Sequence, residues 1–187
     1  MNTVGYHTVE NRDVDKIDDN APFISAGSKA YLGIGYYFWD DDEEWAHWWG
    51  EHHCKNEYII CRANLTCAPD RYLDLHGNQA AMRLMKAWYT IYKNDFVRNF
   101  DTARPPLGVV VEFLKKLAFT RKNPTIFPFD AVRAEDSYLT GKRRSTLPFA
   151  VDRPGQLTLN PALIVCLYRK RDLCRNLEII FPEEYVI

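Results

Sequence analysis

The segment GIGYYFW, residues Gly33–Trp39, is the part of the sequence that most constrains the fold. Within it, Ile34–Trp39 is β-branched or aromatic at five of six positions, a composition that predicts a strand. Asp40–Asp42 follows and can supply the N-cap and first-turn acids of a helix that runs to about His53. The segment therefore predicts a strand that leads directly into a helix.

Strand-like and helical patterns alternate irregularly on both sides of this unit. Apolar residues at helical spacing predict helices at Gln79–Tyr92 and Leu107–Leu117. Further strands are predicted at Val4–Val9, Tyr58–Leu65, Tyr72–Leu75, Ala131–Ala134, Leu147–Asp152, Gln156–Leu159, Ala162–Tyr168 and Leu177–Phe181. Because a regular βαβα order is missing, we expect an α+β fold with a mixed, mainly antiparallel sheet and flanking helices. Neither a Rossmann fingerprint nor a P-loop is present.

Composition narrows the class of protein further. The 187 residues contain no repeat or linker, so we expect one domain over residues 1–187. A net charge of -1 gives no electrostatic reason to expect nucleic acid or an anionic membrane as a partner. The aromatic share of 14% is high, and such residues either fill a core or line a pocket for flat ligands.

Two further features of the sequence concern the cellular compartment of the protein. The first thirty residues lack a signal-peptide pattern, and no apolar run is long enough to cross a bilayer. Five cysteines without a CxxC pair indicate reduced thiols rather than a disulfide framework. We therefore expect a cytoplasmic location.

Three segments in order carry a family resemblance. They are Tyr6-His7, then Gly33–Trp39 with the aromatic helix after it, and finally Gln156–Pro161 (QLTLNP). Together they resemble the ADP-ribosyltransferases of the His-Tyr-Glu branch, which contains the poly-ADP-ribose polymerases and diphtheria toxin. Within that branch the chain is most similar to microbial members with Gln in place of the glutamate.

The resemblance implies a split β-sheet and an activity on NAD as substrate, without a metal. The nicotinamide–ribose bond would be cleaved and ADP-ribose would pass to an unknown macromolecular acceptor. Such stand-alone domains are often toxin-like. Two alternatives stay open, namely an NAD glycohydrolase and a degenerate domain that binds NAD, ADP-ribose or a protein without catalysis.

The resemblance also implies roles for individual residues near the nicotinamide. His7 would hydrogen-bond the adenosine-side ribose, and Tyr37 would stack on the nicotinamide ring, with Trp48 as the opposite wall. Thr8 occupies the position of a glycine whose backbone meets the nicotinamide amide. The alternatives are a histidine at a sheet edge and aromatic residues that fill the core.

Two further positions complete the expected site. Gly35, like Gly33, suits a place where backbone must bend or approach closely, although an ordinary turn glycine is the alternative. Gln156 is the nearest match to the catalytic glutamate, and it could hold a ribose hydroxyl without supplying negative charge. An exposed strand residue is nearly as good an interpretation of Gln156.

The run His52-His53-Cys54 places three metal-ligand residue types side by side and suggests a metal site. Adjacent residues on a helix point about 100° apart, whereas zinc needs three or four converging ligands. Histidines at a helix C-terminus are also favoured by the helix dipole. We therefore expect no metal site.

Overall fold

A computed structural model provides the structure of the chain. The residues it describes are 1–11, 17, 20–27, 30–96, 105–143, 145–150 and 153–186. The strands are β1 (Asn2–Glu10), β2 (Ile24–Ser25), β3 (Gly35–Asp40), β4 (Tyr58–Thr66), β5 (Tyr72–Asp74), β6 (Ala131–Glu135), β7 (Thr146–Ala150), β8 (Arg153–Thr158), β9 (Leu163–Leu167) and β10 (Cys174–Phe181). The helices are α1 (Glu43–His53), α2 (Gln79–Phe96), α3 (Leu107–Thr120) and α4 (Ser137–Lys142), with 3-10 turns at Pro69–Arg71, Pro124–Ile126 and Glu183–Tyr185.

Most strands form one mixed sheet. Its order is β10-β4-β1-β3-β9-β6-β5, with the short β2 paired to β3. Only the β5–β6 pair is parallel among the described ladders, and the others are antiparallel. The prediction of an α+β architecture with a mainly antiparallel sheet is therefore confirmed.

The strand–helix unit at the centre of the sequence folds as its residues indicate. Asp42 is the N-cap of α1, and its carboxylate accepts a hydrogen bond from the amide of Trp45 at 3.1 Å. Glu43 lies in the first turn and His53 in the last turn, as the helix dipole favours. One face of α1 is buried through Trp45, which is 1% exposed, so its large apolar surface holds the helix against the sheet.

The core lies on both faces of the sheet, as alternation along a strand requires. Consecutive residues Phe38 and Trp39 belong to different buried clusters, one on each side. The cluster that includes Trp39 also contains Val110 and Leu114 of α3 and Trp45 of α1, so both helices cover the same face.

No helix among the described residues is both long and apolar enough to span a bilayer.

The late hairpin differs from the expected arrangement. Strands β7 and β8 form a separate two-stranded sheet, although the sequence placed both segments in the main sheet. Each strand contains a proline, Pro148 or Pro154, which has no amide hydrogen to offer a neighbouring strand. The expected continuation through Val151–Asp152 lies outside the described residues.

Candidate functional site

The central strand β1 has very different neighbours on its two sides. Nine residue pairs join β1 to β4, from Asn2 with Thr66 to Glu10 with Tyr58. On the other side only two pairs join it to β3, Gly5 with Asp40 and Tyr6 with Trp39. Among the described residues the β1–β3 ladder ends there. The sheet therefore opens from His7 onward.

The His7 ring bridges this opening. Its Nδ1 lies 2.8 Å from the carbonyl oxygen of Tyr37, so Nδ1 must carry the hydrogen and donate it. Its Nε2 then accepts a hydrogen bond from the amide of Phe23 at 3.2 Å. Burial lowers the pKa of His7 below its ordinary value of 6.5, and the Tyr37 bond opposes this only in part. The imidazole is therefore neutral at neutral pH, with both nitrogens occupied.

Tyr37 on the opposite strand is fixed at its phenolic end. Its hydroxyl donates to the carbonyl oxygen of Gly33 at 2.6 Å and accepts from the amide of Leu32 at 2.8 Å. Burial raises the pKa of Tyr37 well above its ordinary value. The hydroxyl is thus held as a neutral anchor, and the half-buried ring can act as a rigid surface but not as an acid or base.

A cavity of about 600 Å³ occupies the opening between β1 and β3. That volume lies within the range of small-molecule sites. Six of its fourteen described lining residues are Phe, Tyr or Trp, and the wall is formed by the sheet, the residues on either side of β2, α1 and the start of α4. The lining residues are His7, Thr8, Phe23, Ser25, Gly27, Ala30, Tyr31, Tyr37, Phe38, Trp39, Trp49, Asp136, Leu139 and Ile164.

Three of the six expected site residues meet at this cavity. His7 and Thr8 come from β1 and Tyr37 comes from β3, thirty positions away in the sequence. The hydroxyl of Thr8 donates to the carbonyl oxygen of Ala46 at 2.9 Å, so this side chain is tied to α1. The early histidine and the tyrosine of the GIGYYFW segment therefore share one site.

Gly35 is not among the described residues that line the cavity. A side chain at this position would collide with the thiol of Cys166 and would bring a Cβ to 2.7 Å from the carbonyl oxygen of Leu167. The close approach expected at Gly35 is thus an approach of β3 to β9. Its glycine is required by packing within the sheet.

On α1 the cavity is lined by Trp49, while Trp48 is not among its described lining residues. Trp48 packs edge-on against Trp45 at 5.5 Å and stacks on His52 at 4.3 Å between ring centroids. Trp49 lies 5.8 Å from Trp39, another lining residue. Neighbouring helix positions differ by about 100° in direction, and the sequence alone does not say which tryptophan faces inward.

Gln156 also lies outside the described lining of the cavity. It is an exposed residue of β8, opposite Pro148 of β7 in the separate hairpin. The Asn160 that follows it is structural, because its side chain accepts from the amide of Ser145 at 2.9 Å and donates to the carbonyl oxygen of Arg143 at 2.7 Å. The three segments of the resemblance are therefore not all brought to one place.

Sequence reasoning missed three polar residues of the cavity, Ser25, Tyr31 and Asp136. Tyr31 donates from its hydroxyl to the carbonyl oxygen of Glu135 at 2.8 Å. The half-buried Asp136 is the N-cap of α4 and accepts from the amides of Tyr138 and Leu139 at 3.0 and 3.1 Å. The only signal for Asp136 is the Asp-Ser start of a short helix, which indicates a cap and not a site.

The histidines at the end of α1 have aromatic partners. His53 stacks on Trp49 at 3.9 Å, as His52 stacks on Trp48. The described part of the chain contains no group of three His, Cys, Asp or Glu side chains placed to hold a metal ion.

No protein-family model, curated protein or solved structure matches this chain.

Proposed function

We propose that the chain binds NAD in the cavity between β1 and β3 and acts as a mono-ADP-ribosyltransferase-like protein. In this proposal the opening of the sheet corresponds to the split sheet of that family. The observation that carries it is the meeting of His7, Thr8 and Tyr37 at one aromatic cavity of about 600 Å³. Two of these residues, His7 and Tyr37, were singled out by the resemblance as the ligands of ribose and nicotinamide.

The nicotinamide ring would stack on Tyr37. Because the hydroxyl is anchored to Leu32 and Gly33, the ring is held in position before a ligand arrives, which lowers the cost of ordering it on binding. Trp49, and not the Trp48 expected from the resemblance, would form the second aromatic wall. Offset stacking between flat rings adds to the free energy of area burial.

His7 would contact a ribose hydroxyl through Nε2. In the structure that nitrogen accepts from the amide of Phe23, at 3.2 Å the longer of its two hydrogen bonds. A ligand hydroxyl could replace this amide if the segment carrying Phe23 moved, while the bond to Tyr37 kept the ring oriented. The nicotinamide–ribose bond would then be cleaved and ADP-ribose transferred to an acceptor.

The reaction can be followed with purified protein and NAD labelled on the adenylate part. Chromatography measures released nicotinamide, and gel autoradiography measures label on proteins or nucleic acid from a cell extract. Transfer requires both signals, and at NAD concentrations below the wild-type Kd both should fall by about tenfold in Tyr37→Leu. Nicotinamide release without macromolecular label would instead identify an NAD glycohydrolase. Absence of both signals, together with absence of NAD binding, would contradict the proposal.

A second candidate is a domain that binds NAD or ADP-ribose without catalysis. The observation in its favour is that both ring nitrogens of His7 and the hydroxyl of Tyr37 are already bonded within the protein. In addition, Gln156 lies on the separate hairpin. NAD binding without nicotinamide release would support this candidate. Activity that appears only in Gln156→Glu would do so as well, and would return the hairpin to the site.

A further inference from the structure

The loop that precedes β3 holds part of the cavity wall in place. Tyr31 of this loop lines the cavity. The next two residues, Leu32 and Gly33, bind the hydroxyl of Tyr37 through an amide at 2.8 Å and a carbonyl oxygen at 2.6 Å. None of the described lining residues belongs to α3, although this helix packs against the loop. The side chains of α3 can therefore act on a ligand only through the loop.

Both backbone groups of Ile34, the last residue of the loop, are bound by side chains of α3. Oε1 of Glu112 accepts a hydrogen bond from the amide of Ile34 at 2.8 Å. The ammonium of Lys115 donates to the carbonyl oxygen of Ile34 at 3.1 Å and to Oε1 of Glu112 at 2.7 Å. Hydrogen bonds to charged groups are roughly twice as strong as those between neutral groups. Glu112 and Lys115 together, here called the α3 clamp, therefore hold the end of the loop.

Gly33 makes room for the α3 clamp. Its φ of 90° lies in the left-handed region, which favours glycine. A Cβ at this position would lie 2.6 Å from Oε1 of Glu112 and 3.2 Å from Cγ1 of Val111. The first glycine of the GIGYYFW segment is therefore required both by its own backbone conformation and by the carboxylate that lies against it.

Tyr168 connects the α3 clamp to a second point of the loop. Its hydroxyl donates to the carbonyl oxygen of Leu32 at 2.9 Å, and the ammonium of Lys115 lies 4.3 Å from the centroid of its ring. The face of an aromatic ring attracts a cation in this position. As an ion pair alone, Lys115 and Glu112 would contribute little to stability, because their side chains are 27% and 35% exposed. Their importance lies in the bonds that they make to the loop.

We propose that Glu112 and Lys115 are positioning residues, which fix the loop before β3 and through it hold the Tyr37 ring in the orientation that binds the ligand. This inference rests on the proposed function and adds to it two residues that do not line the cavity. A ring that is already oriented loses less conformational freedom when a ligand binds. Release of the α3 clamp therefore weakens binding without removing any group that touches the ligand.

A double-mutant cycle tests whether the α3 clamp acts through Tyr37. Calorimetry measures the Kd of NAD for the wild-type protein, Glu112→Ala, Tyr37→Leu and the double variant, well below the melting temperature of each. Substitutions that act through one shared side chain have non-additive effects. We expect Glu112→Ala to weaken NAD binding about fourfold in the wild-type background, and by less than about 1.5-fold in the Tyr37→Leu background.

Three single variants separate positioning from stability. Glu112→Gln keeps an oxygen that can accept the Ile34 amide, so its NAD affinity should lie within about twofold of the wild-type value. Lys115→Met keeps the aliphatic stem but loses the ammonium, so binding should weaken about threefold, and this variant replaces Glu112→Ala in the cycle if that protein does not fold. Lys116→Met is the matched control, because Lys116 is the exposed next residue of α3, and its NAD affinity should equal that of the wild-type protein.

Equal weakening by Glu112→Ala in both backgrounds would overturn this inference and leave the proposed function standing. Thermal unfolding provides the second readout. A lower melting temperature with unchanged NAD affinity in Glu112→Ala and Lys115→Met would also overturn the inference, because it would show a structural role only. Failure of the wild-type protein to bind NAD would overturn the proposed function, and the inference with it.

Discussion

Strand β1 is fully paired with β4 on one side, here called the closed side, and only partly paired with β3 on the other, the open side. We expect the closed side to contribute more to stability and the open side to hold the proposed ligand. Toward β4 the ladder runs over nine residue pairs. Toward β3 it stops after two pairs, and the ring of His7 spans the gap with hydrogen bonds that backbone would otherwise make. Where a ladder is interrupted, the backbone polar groups need other partners, and the cavity lies at this interruption.

The closed side should show the largest effect on stability. Ile60 lies opposite Thr8 in the β4–β1 ladder and is completely buried. We expect Ile60→Ala to lower the free energy of unfolding by about 2–5 kcal/mol, through lost burial and the cavity that remains. Urea unfolding measures it, with the exposed Leu147→Ala as a control that should change stability by less than about 0.5 kcal/mol. Similar losses of unfolding free energy in the two variants would mean that side chains of the β1–β4 ladder do not form a stabilising core.

On the open side the effect should be smaller and should depend on pH. The folded state lowers the pKa of His7 below 6.5, so the unfolded chain binds the proton more readily. His7 therefore stabilises the fold fully above about pH 6.5, and this contribution is lost as the pH falls through the lowered value, with a slope of up to about 1.4 kcal/mol per pH unit. His7→Gln should unfold with a shallower acid dependence than the wild-type protein.

Urea titrations between pH 8 and pH 5 compare these two proteins. His53, whose pKa is also lowered by burial first and then by His52 and Lys142, is present in both and cancels in the difference. At pH 8 the variant should be less stable by about 1–3 kcal/mol, because the Tyr37 carbonyl and the Phe23 amide lose their partner. If the free energy of unfolding has the same pH dependence in both proteins, His7 is not a buried neutral imidazole.

Removal of the Tyr37 hydroxyl on β3 should have the smallest effect on stability. Tyr37→Phe removes the hydroxyl that joins Leu32 and Gly33 but keeps the ring, so stability should fall by about 0.5–1.5 kcal/mol. NAD affinity should change by less than about fivefold, whereas Tyr37→Leu should weaken it by about tenfold through loss of stacking. Calorimetry and urea unfolding provide the two readouts. Equal NAD affinity in Tyr37→Phe and Tyr37→Leu would show that the ring does not touch the ligand.

The secondary-structure elements could be predicted from the sequence, whereas most of the contacts between them could not. β-Branched and aromatic runs predicted strands such as β4, and the run Asp40–Asp42 predicted the start of α1, because both depend on local preferences. The closeness of His7 and Tyr37 followed only from the family resemblance. Local pattern could not show that β7 and β8 leave the main sheet, because two strands of ordinary composition can pair with each other or with a larger sheet.

The cavity itself was the hardest feature to predict. Trp48 and Trp49 are chemically equivalent neighbours, and only the packing of α1 on the sheet decides that Trp49, 5.8 Å from Trp39 between ring centroids, lines the cavity. Asp136 has the sequence signal of a helix cap, and its position in the cavity results from the placement of α4 beside the opened sheet. Tertiary placement of this kind has no periodic signal in a single sequence.

The central claim is that NAD enters the cavity at the open side of β1, and a steric block measures this most directly. Gly27 lines the cavity, and a Cβ there meets nothing within 4 Å, so the backbone has room for a side chain and Gly27→Phe adds a ring at the cavity. Gly141 has the same free space but lies on α4 outside the described lining, which makes Gly141→Phe the matched control. In calorimetric titrations we expect NAD to bind the wild-type protein and Gly141→Phe equally, and Gly27→Phe at least about tenfold more weakly. Equal affinity in all three proteins, or no binding to the wild-type protein, would contradict the claim.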